Sequence, residues 1–181
     1  FLGIERTSGP TTWSEGHPLS ISCSNILAMF VRKLGGFSFQ ELNLSVKSIK
    51  EFSAGGVDLS YDFITRPSMP HAVLTGNTDF LKLTYKLMKD YQIQPMSLIH
   101  DMQNHDEITY ELVHFIENKD VVFPYRGGKT GQEIRDEIEE EMLGIAINGD
   151  IKYNAISGNG LCTTYVGLCA TRLHITELNS I

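Results

Sequence analysis

Residues 37–44 (FSFQELNL) are the starting point for the fold of this chain. Phe37, Phe39 and Glu41 occupy alternate positions, which is the period of a β-strand, and Asn43 follows two residues later. A helix is predicted just before this strand, over residues 19–34, because apolar residues recur at intervals of three and four and a Gly-Gly pair follows. We expect the helix to bury one face, formed by Leu27, Phe30, Val31 and Leu34.

Two further strands are predicted along the chain, over residues 57–63 (VDLSYDF) and residues 96–102 (MSLIHDM). Residues 77–92 between them have the apolar spacing of a helix, with Asn77 or Thr78 as its N-cap. Strands that alternate with helices are typical of right-handed βαβ units on a parallel sheet. The fold class is therefore predicted to be α/β.

The region beyond about Tyr110 is predicted to be more helical and irregular. Thr130 and Glu133 have the spacing of a capping box, which predicts the start of a helix. The acidic run of residues 133–141 on that helix is typical of a solvated face. Another helix is predicted over residues 161–173. The apolar stripe of the helix that starts at the capping box consists of Ile134, Ile138, Met142 and Ile145.

The composition restricts the possible functions. The 181 residues are 41% hydrophobic and carry a formal net charge of −7, which fits one globular domain and disfavours a nucleic-acid surface. No apolar run approaches the roughly 18 residues that a membrane span needs. The 3 cysteines lack a metal-binding or disulfide spacing, so we expect small buried thiols and a cytoplasmic location.

Polar side chains follow two of the predicted strands. Glu41 ends the first, and Asn104, His105 and Asp106 follow the third. The active sites of (β/α)8 barrels are built at this end of their parallel strands, so the two carboxylates are expected to converge. Convergent carboxylates suit glycosyl transfer, which needs a proton donor and anionic stabilisation. Taken singly, either carboxylate is more often a helix cap or a surface charge.

A metal site is the competing interpretation of the same segment. His100, Asp101 and residues 105–107 (HDE) are all of metal-ligand type. Successive residues of a strand and its exit turn point to alternate sides, however, so we expect no metal site there.

Residues 103–107 (QNHDE) resemble the Asn-His-Asp motif of the α-amylase family, glycoside hydrolase family 13. Residues 39–44 (FQELNL) resemble that family's general-acid strand, and residues 1–5 (FLGIE) look like the segment just after its nucleophile motif. Residues 58–67 (DLSYDFITRP) are similar to the sixth-strand segment of trehalose synthases in the family. The segments occur in the family's order.

The resemblance implies a partial (β/α)8 TIM barrel, from about the end of the fourth strand to before the eighth. Residues 1–181 would be the C-terminal part of a glycoside hydrolase catalytic domain, with a less recognisable region from about residue 112. Glu41 would be the catalytic acid/base and Asp106 the catalytic transition-state stabiliser, while His105 and Asn104 would bind substrate. The nucleophilic Asp would lie upstream, so this piece alone is expected to be inactive.

The activity implied by the resemblance is that of a retaining α-glucoside-active enzyme. The trehalose synthase type, which isomerises maltose to trehalose by intramolecular glucosyl transfer, is the first expectation. An α-glucosidase or α-amylase-type hydrolase is the alternative within the class, and a catalytically silent sugar-binding or interaction module is the alternative outside it.

The expected partners are a small α-glucoside such as maltose and the rest of the parent catalytic domain, with no nucleic acid and no membrane. No cofactor is implied, and a structural calcium in the parent is left open. The loops of residues 7–18 and 115–131 are candidate lids that would keep water from the reaction.

Overall fold

The computed structural model of the chain describes residues 18–42, 44–53, 56–147, 155–157 and 160–173. Asn43, the nucleophile-like segment 1–5 and nearly all of the candidate lid 7–18 lie outside the described residues.

A small parallel sheet organises the first part of the chain. Its strands lie side by side in chain order, with Phe39 opposite Leu59 and Ser60 opposite Leu98. All three strands occur within the predicted segments but are shorter, and the predicted α/β class is confirmed as a mixed fold with a parallel sheet. The strands are β1 (Phe39–Gln40), β2 (Leu59–Tyr61) and β3 (Leu98–Ile99).

Helices precede and connect these strands. The helix predicted over residues 77–92 is present, and Asn77 Oδ1 accepts a hydrogen bond from Asp79 N (2.8 Å) at its start. Two further helices, Val46–Ser53 and Ser68–Thr75, were not predicted. A short 3-10 helix (Pro95–Ser97) leads into β3. The helices are α1 (Pro18–Lys33), α2 (Val46–Ser53), α3 (Ser68–Thr75) and α4 (Asp79–Asp90).

The second part of the chain departs from this alternation. Its elements are β4 (Ile108–Thr109), α5 (Val113–Glu117), β5 (Val122–Phe123), β6 (Lys129–Thr130), α6 (Gly131–Ile147), β7 (Ala155–Ser157), β8 (Gly160–Thr163) and α7 (Tyr165–Arg172). Strands β4, β7 and β8 form an antiparallel sheet in the order β4-β8-β7, and β5 pairs with β6 in a hairpin.

Two predictions for this part are wrong. Residues 161–173 are not one helix, because Cys162 pairs with Thr109 in the sheet and α7 starts only after Thr164, whose hydroxyl caps Gly167 N (2.9 Å). Residues 115–131 are not a loop but the end of α5 and the hairpin, and Tyr125 in its turn is buried.

Helix α6 forms as predicted. Glu133 Oε2 accepts from Thr130 N (2.7 Å) and Thr130 Oγ1 accepts from Glu133 N (3.2 Å), which is a reciprocal capping box. Its stripe joins one continuous core with α2, α4 and α5, in which Ile145 is only partly buried. The stripe residues with no exposed surface are Ile134, Ile138 and Met142.

The prediction that α1 buries its apolar face is wrong. Leu27 is 63% exposed and Phe30 is 56% exposed. Helical spacing predicts an apolar face but does not specify a partner to cover it. Contact with the sheet is made instead by Arg32, whose Nη2 donates to Asp58 Oδ1 (2.6 Å) beside β2.

Two smaller findings concern the cysteines and membranes. Cys23, Cys162 and Cys169 are free thiols as predicted, but they are half-buried rather than buried. Among the described helices, none combines the length and the apolar character that a membrane crossing requires.

Candidate functional site

The predicted site lies at one edge of the parallel sheet. Glu41 directly follows β1, Asp62 follows β2 and His100 follows β3. Parallel strands present these ends along the same edge. The loop of residues 103–107, between β3 and β4, carries the remaining predicted residues to this edge.

The structure brings all four predicted site residues together. Asn104 Nδ2 donates to Glu41 Oε1 (3.1 Å). His105 Nε2 lies between two carboxylates, 3.8 Å from Glu41 Oε2 and 3.7 Å from Asp106 Oδ2. The convergence expected from the strand order is therefore present, while the catalytic and binding roles of the four residues stay predictions.

These side chains face solvent. His105 is 66% exposed, Asp106 is 55% exposed and Glu41 is 39% exposed. The imidazole stands too far from both carboxylates for a hydrogen bond, which needs about 3.2 Å or less between the heavy atoms. A ligand with several hydroxyl groups would thus find acceptors on Glu41 and Asp106 and a ring nitrogen of His105 within reach.

Hydrogen bonds within the loop and from Arg66 hold the loop in place. Asn104 Oδ1 accepts from Asp106 N (3.0 Å), which makes an Asx turn around His105. Gln103 Nε2 donates to the Asp106 carbonyl (2.9 Å), and Arg66 Nη2 donates to the Glu107 carbonyl (2.8 Å). Sequence reasoning missed the roles of Gln103 and Arg66. No local pattern predicts the Arg66 contact, whose partner lies 41 positions away.

Behind the loop, a buried turn starts at Asp62. Its Oδ1 accepts from Ile64 N (3.0 Å) and Thr65 N (2.9 Å), while Oδ2 accepts from the Thr65 hydroxyl and from His100 Nδ1 (2.7 Å). The carboxylate is 2% exposed and its oxygens are fully used, so it links the ends of β2 and β3. The Asp-x-x-Thr spacing is a turn signal that could have revealed this role.

Arg66 emerges from that turn and lies beneath the loop. The residue is 4% exposed, and its guanidinium carbon lies 4.9 Å from the centre of the Phe63 ring. Burial raises the pKa of nearby Asp101 above its ordinary value, and the charge of Arg66 opposes that rise. Arg66 therefore offsets buried negative charge and also supports the loop.

The metal-ligand residues that lie close together in the structure differ from the set considered in the sequence. Glu41, His105 and Asp106 each offer one ligand atom, and these atoms all lie within 4.8 Å of one another. The set excludes His100, whose two ring nitrogens face Asp62 and the Pro95 carbonyl. All three residues are exposed, and exposed acidic groups commonly gather without an ion. We assign no metal to them.

A second charged group, here called the α6 charge cluster, consists of His71, Arg126, Lys129, Glu137 and Glu141. His71 Nε2 lies 2.6 Å from Glu141 Oε2, Arg126 Nη1 donates to Glu141 Oε1 (2.7 Å), and Glu137 accepts from both Arg126 and Lys129. The prediction that residues 133–141 form a solvated face is therefore wrong for this side of α6.

Comparison with known proteins identifies no relative. No protein-family model matches the chain, and no curated protein or solved structure shows significant similarity to it. The resemblance to the α-amylase family therefore rests on the short motifs.

Proposed function

We propose that this chain is part of a retaining α-glucoside-active enzyme of the α-amylase type, with Glu41 as acid/base. The observation that carries the proposal is the convergence of Glu41 with Asn104, His105 and Asp106 from the ends of β1 and β3. Glu41 and Asn104 are 63 positions apart in sequence, and the segment around each was identified from a separate motif. Their meeting at the carboxyl edge of parallel strands is the arrangement that this chemistry needs.

The proposed architecture is a partial (β/α)8 barrel that begins near a fourth strand and stops before an eighth. Three adjacent parallel strands joined by helices support it. The antiparallel sheet and the hairpin beyond residue 107 would be insertions at the edge of such a barrel.

The proposed mechanism assigns a task to each side chain. Glu41 protonates the glycosidic oxygen and later removes a proton from the acceptor. Asp106 and His105 bind hydroxyl groups of the same sugar, and their hydrogen bonds strengthen as positive charge develops on the ring. Asn104 orients Glu41 through the 3.1 Å hydrogen bond to Oε1. The nucleophile, about 5–5.5 Å from the acid in a retaining site, would come from another part of the natural protein.

The reaction proposed first is the isomerisation of maltose to trehalose, in which the released glucose attacks the covalent intermediate through its anomeric hydroxyl. Hydrolysis differs only in the acceptor, which is water. No cofactor enters either reaction. The free cysteines support a reducing compartment, and we propose the cytoplasm.

The test is to incubate the natural full-length protein with maltose and to follow the anomeric protons by NMR. Trehalose with little free glucose supports the isomerase, and glucose alone moves the assignment to a hydrolase. Binding of maltose without turnover favours a sugar-binding module and contradicts the enzymatic proposal.

Glu41→Gln is the matching variant, with Glu51→Gln on the exposed side of α2 as its control. Loss of the general acid should lower turnover by about 10²–10⁴-fold, the usual contribution of such a group. The control should keep the activity of the wild type. Equal activity in both variants would contradict the assignment of Glu41.

A further inference from the structure

We propose that Gln103 is a positioning residue, which fixes the distances from His105 and Asp106 to Glu41 by tying the loop of residues 103–107 to the start of α7. This inference rests on the proposed function and adds a residue outside the motif itself. Gln103 is half-buried, and both ends of its side-chain amide are used. Nε2 donates to the Asp106 carbonyl (2.9 Å), and Oε1 accepts from Tyr165 N (2.8 Å).

The anchor at the other end of this link, helix α7, has buried side chains. Helix α7 packs into the core through Leu168, which is 0% exposed, and Ala170, which is 1% exposed. The first backbone N–H groups of a helix have no partner within the helix. Thr164 Oγ1 accepts from Gly167 N (2.9 Å), and Gln103 accepts from Tyr165 N, so the loop itself completes the cap of α7.

The loop has few other restraints on this side. Asp106 is 55% exposed and His105 is 66% exposed, so packing alone does not hold them. The Asx turn at Asn104 sets the local shape of residues 104–106, whereas Gln103 connects that shape to a buried helix. A shift of this loop changes the 3.8 Å separation between His105 Nε2 and Glu41 Oε2.

The Gln103 amide supplies one donor and one acceptor here, so two substitutions separate the two contacts. Gln103→Glu keeps an acceptor for Tyr165 N, where the positive end of the α7 dipole favours an anion. It also places a carboxylate oxygen against the Asp106 carbonyl, which repels the loop. Gln103→Met has nearly the same shape and makes neither hydrogen bond.

The experiment compares both variants with the wild type in the natural full-length protein, using maltose turnover and thermal unfolding. Gln103→Glu should lower kcat on the order of ten- to hundred-fold, because a displacement of about 1 Å at reacting groups has effects of that size, and should leave KM and Tm near the wild-type values. Gln94→Glu, the same change at an exposed position, should leave kcat unaltered. Wild-type kcat in Gln103→Glu would overturn the proposal.

Hydrogen exchange gives a second measurement that does not depend on activity. Exchange of residues 103–107 should rise in both variants, while exchange of residues 164–168 should rise only in Gln103→Met. Unaltered exchange of residues 103–107 in Gln103→Glu would overturn the positioning role. If the wild type turns over no α-glucoside but this exchange pattern holds, the proposed function fails and the structural link through Gln103 stands.

Discussion

The sheet edge and the α6 charge cluster each place a histidine beside glutamate, yet they use these residues differently. His71 is 0% exposed, and its Nε2 lies 2.6 Å from Glu141 Oε2. His105 is 66% exposed, and its Nε2 lies 3.8 Å from Glu41 Oε2. The side chains of His71 and Glu141 are in contact and mostly shielded from water, whereas those of His105 and Glu41 are separated and face solvent.

The hydrogen bonds of the two glutamates show the same contrast. Burial alone would raise the pKa of Glu141, but hydrogen bonds from Arg126 and His71 outweigh it and hold that pKa below the ordinary value. Within the described residues, Glu41 accepts one hydrogen bond, from Asn104 to Oε1, and Oε2 accepts none. Charged groups that satisfy one another stabilise the fold, and charged groups with unused capacity at an exposed edge are suited to bind a ligand.

Asp106→Asn should have the largest effect, and only on activity. The change removes the anion that stabilises the transition state in the proposed mechanism, so kcat/KM should fall by about 10²–10³-fold. Because Asp106 is 55% exposed, Tm should change little. Steady-state kinetics on maltose together with thermal unfolding check both expectations. A large loss of Tm with intact kcat/KM would mean that the sheet edge is structural, like the α6 charge cluster.

His105→Ala should have the next largest effect. It removes one hydrogen bond to the sugar, worth about 1–3 kcal/mol when the partner carries charge, which corresponds to about a ten- to hundred-fold loss of kcat/KM. Its control is His100→Ala, which removes a histidine at the same edge that is committed to Asp62 and the Pro95 carbonyl. That control should lower Tm more than His105→Ala does. The reverse pattern would contradict the division between binding and structural histidines.

Glu141→Gln should act on stability instead of activity. It leaves the buried His71 without its anionic partner and removes one of the carboxylates that pair with Arg126, and the expected loss is about 1–3 kcal/mol of unfolding free energy. Because the pKa of Glu141 is lowered in the folded state, its contribution is present above the ordinary carboxyl pKa and is lost as pH falls below it.

Urea unfolding at neutral pH measures this loss. Glu140→Gln, at an exposed position beside Glu141, is the matched control and should be neutral. A Glu141 variant as stable as that control would show that the α6 charge cluster contributes no net stability.

Local patterns predicted the parts of the fold that depend on near neighbours. The Thr130–Glu133 capping box and the stripe of α6 need only residues a few positions apart, and both are present. The convergence of Glu41 with Asp106 was also predictable, because parallel strands end at one edge.

The wrong predictions depend on contacts between distant segments. The acidic residues of α6 were predicted to face solvent. The prediction failed because Arg126 and Lys129 contact them from a hairpin that was not predicted from the sequence. Residues 160–163 form a strand because β4 offers an edge to pair with. Gln103 escaped notice for the same reason, since its partner Tyr165 lies 62 positions away.

Asp58→Asn should have the smallest effect, a loss of stability that is present above about pH 4 and disappears in acid, and it extends the comparison to a third charged contact. The backbone N–H of Ser38, its hydroxyl and then Arg32 lower the pKa of Asp58 from 3.8 to about 2. The folded pKa lies below the unfolded one, so the stability from Asp58 is present above about pH 4 and is lost as pH falls towards 2. The variant should therefore lose less stability than the wild type between pH 4 and pH 2, in urea unfolding at each pH.

Asp90→Asn, which removes an exposed partner of Lys86, is the control and should keep the wild-type slope of stability against pH. Equal slopes in all three proteins would mean that the contact between α1 and the sheet does not persist in solution.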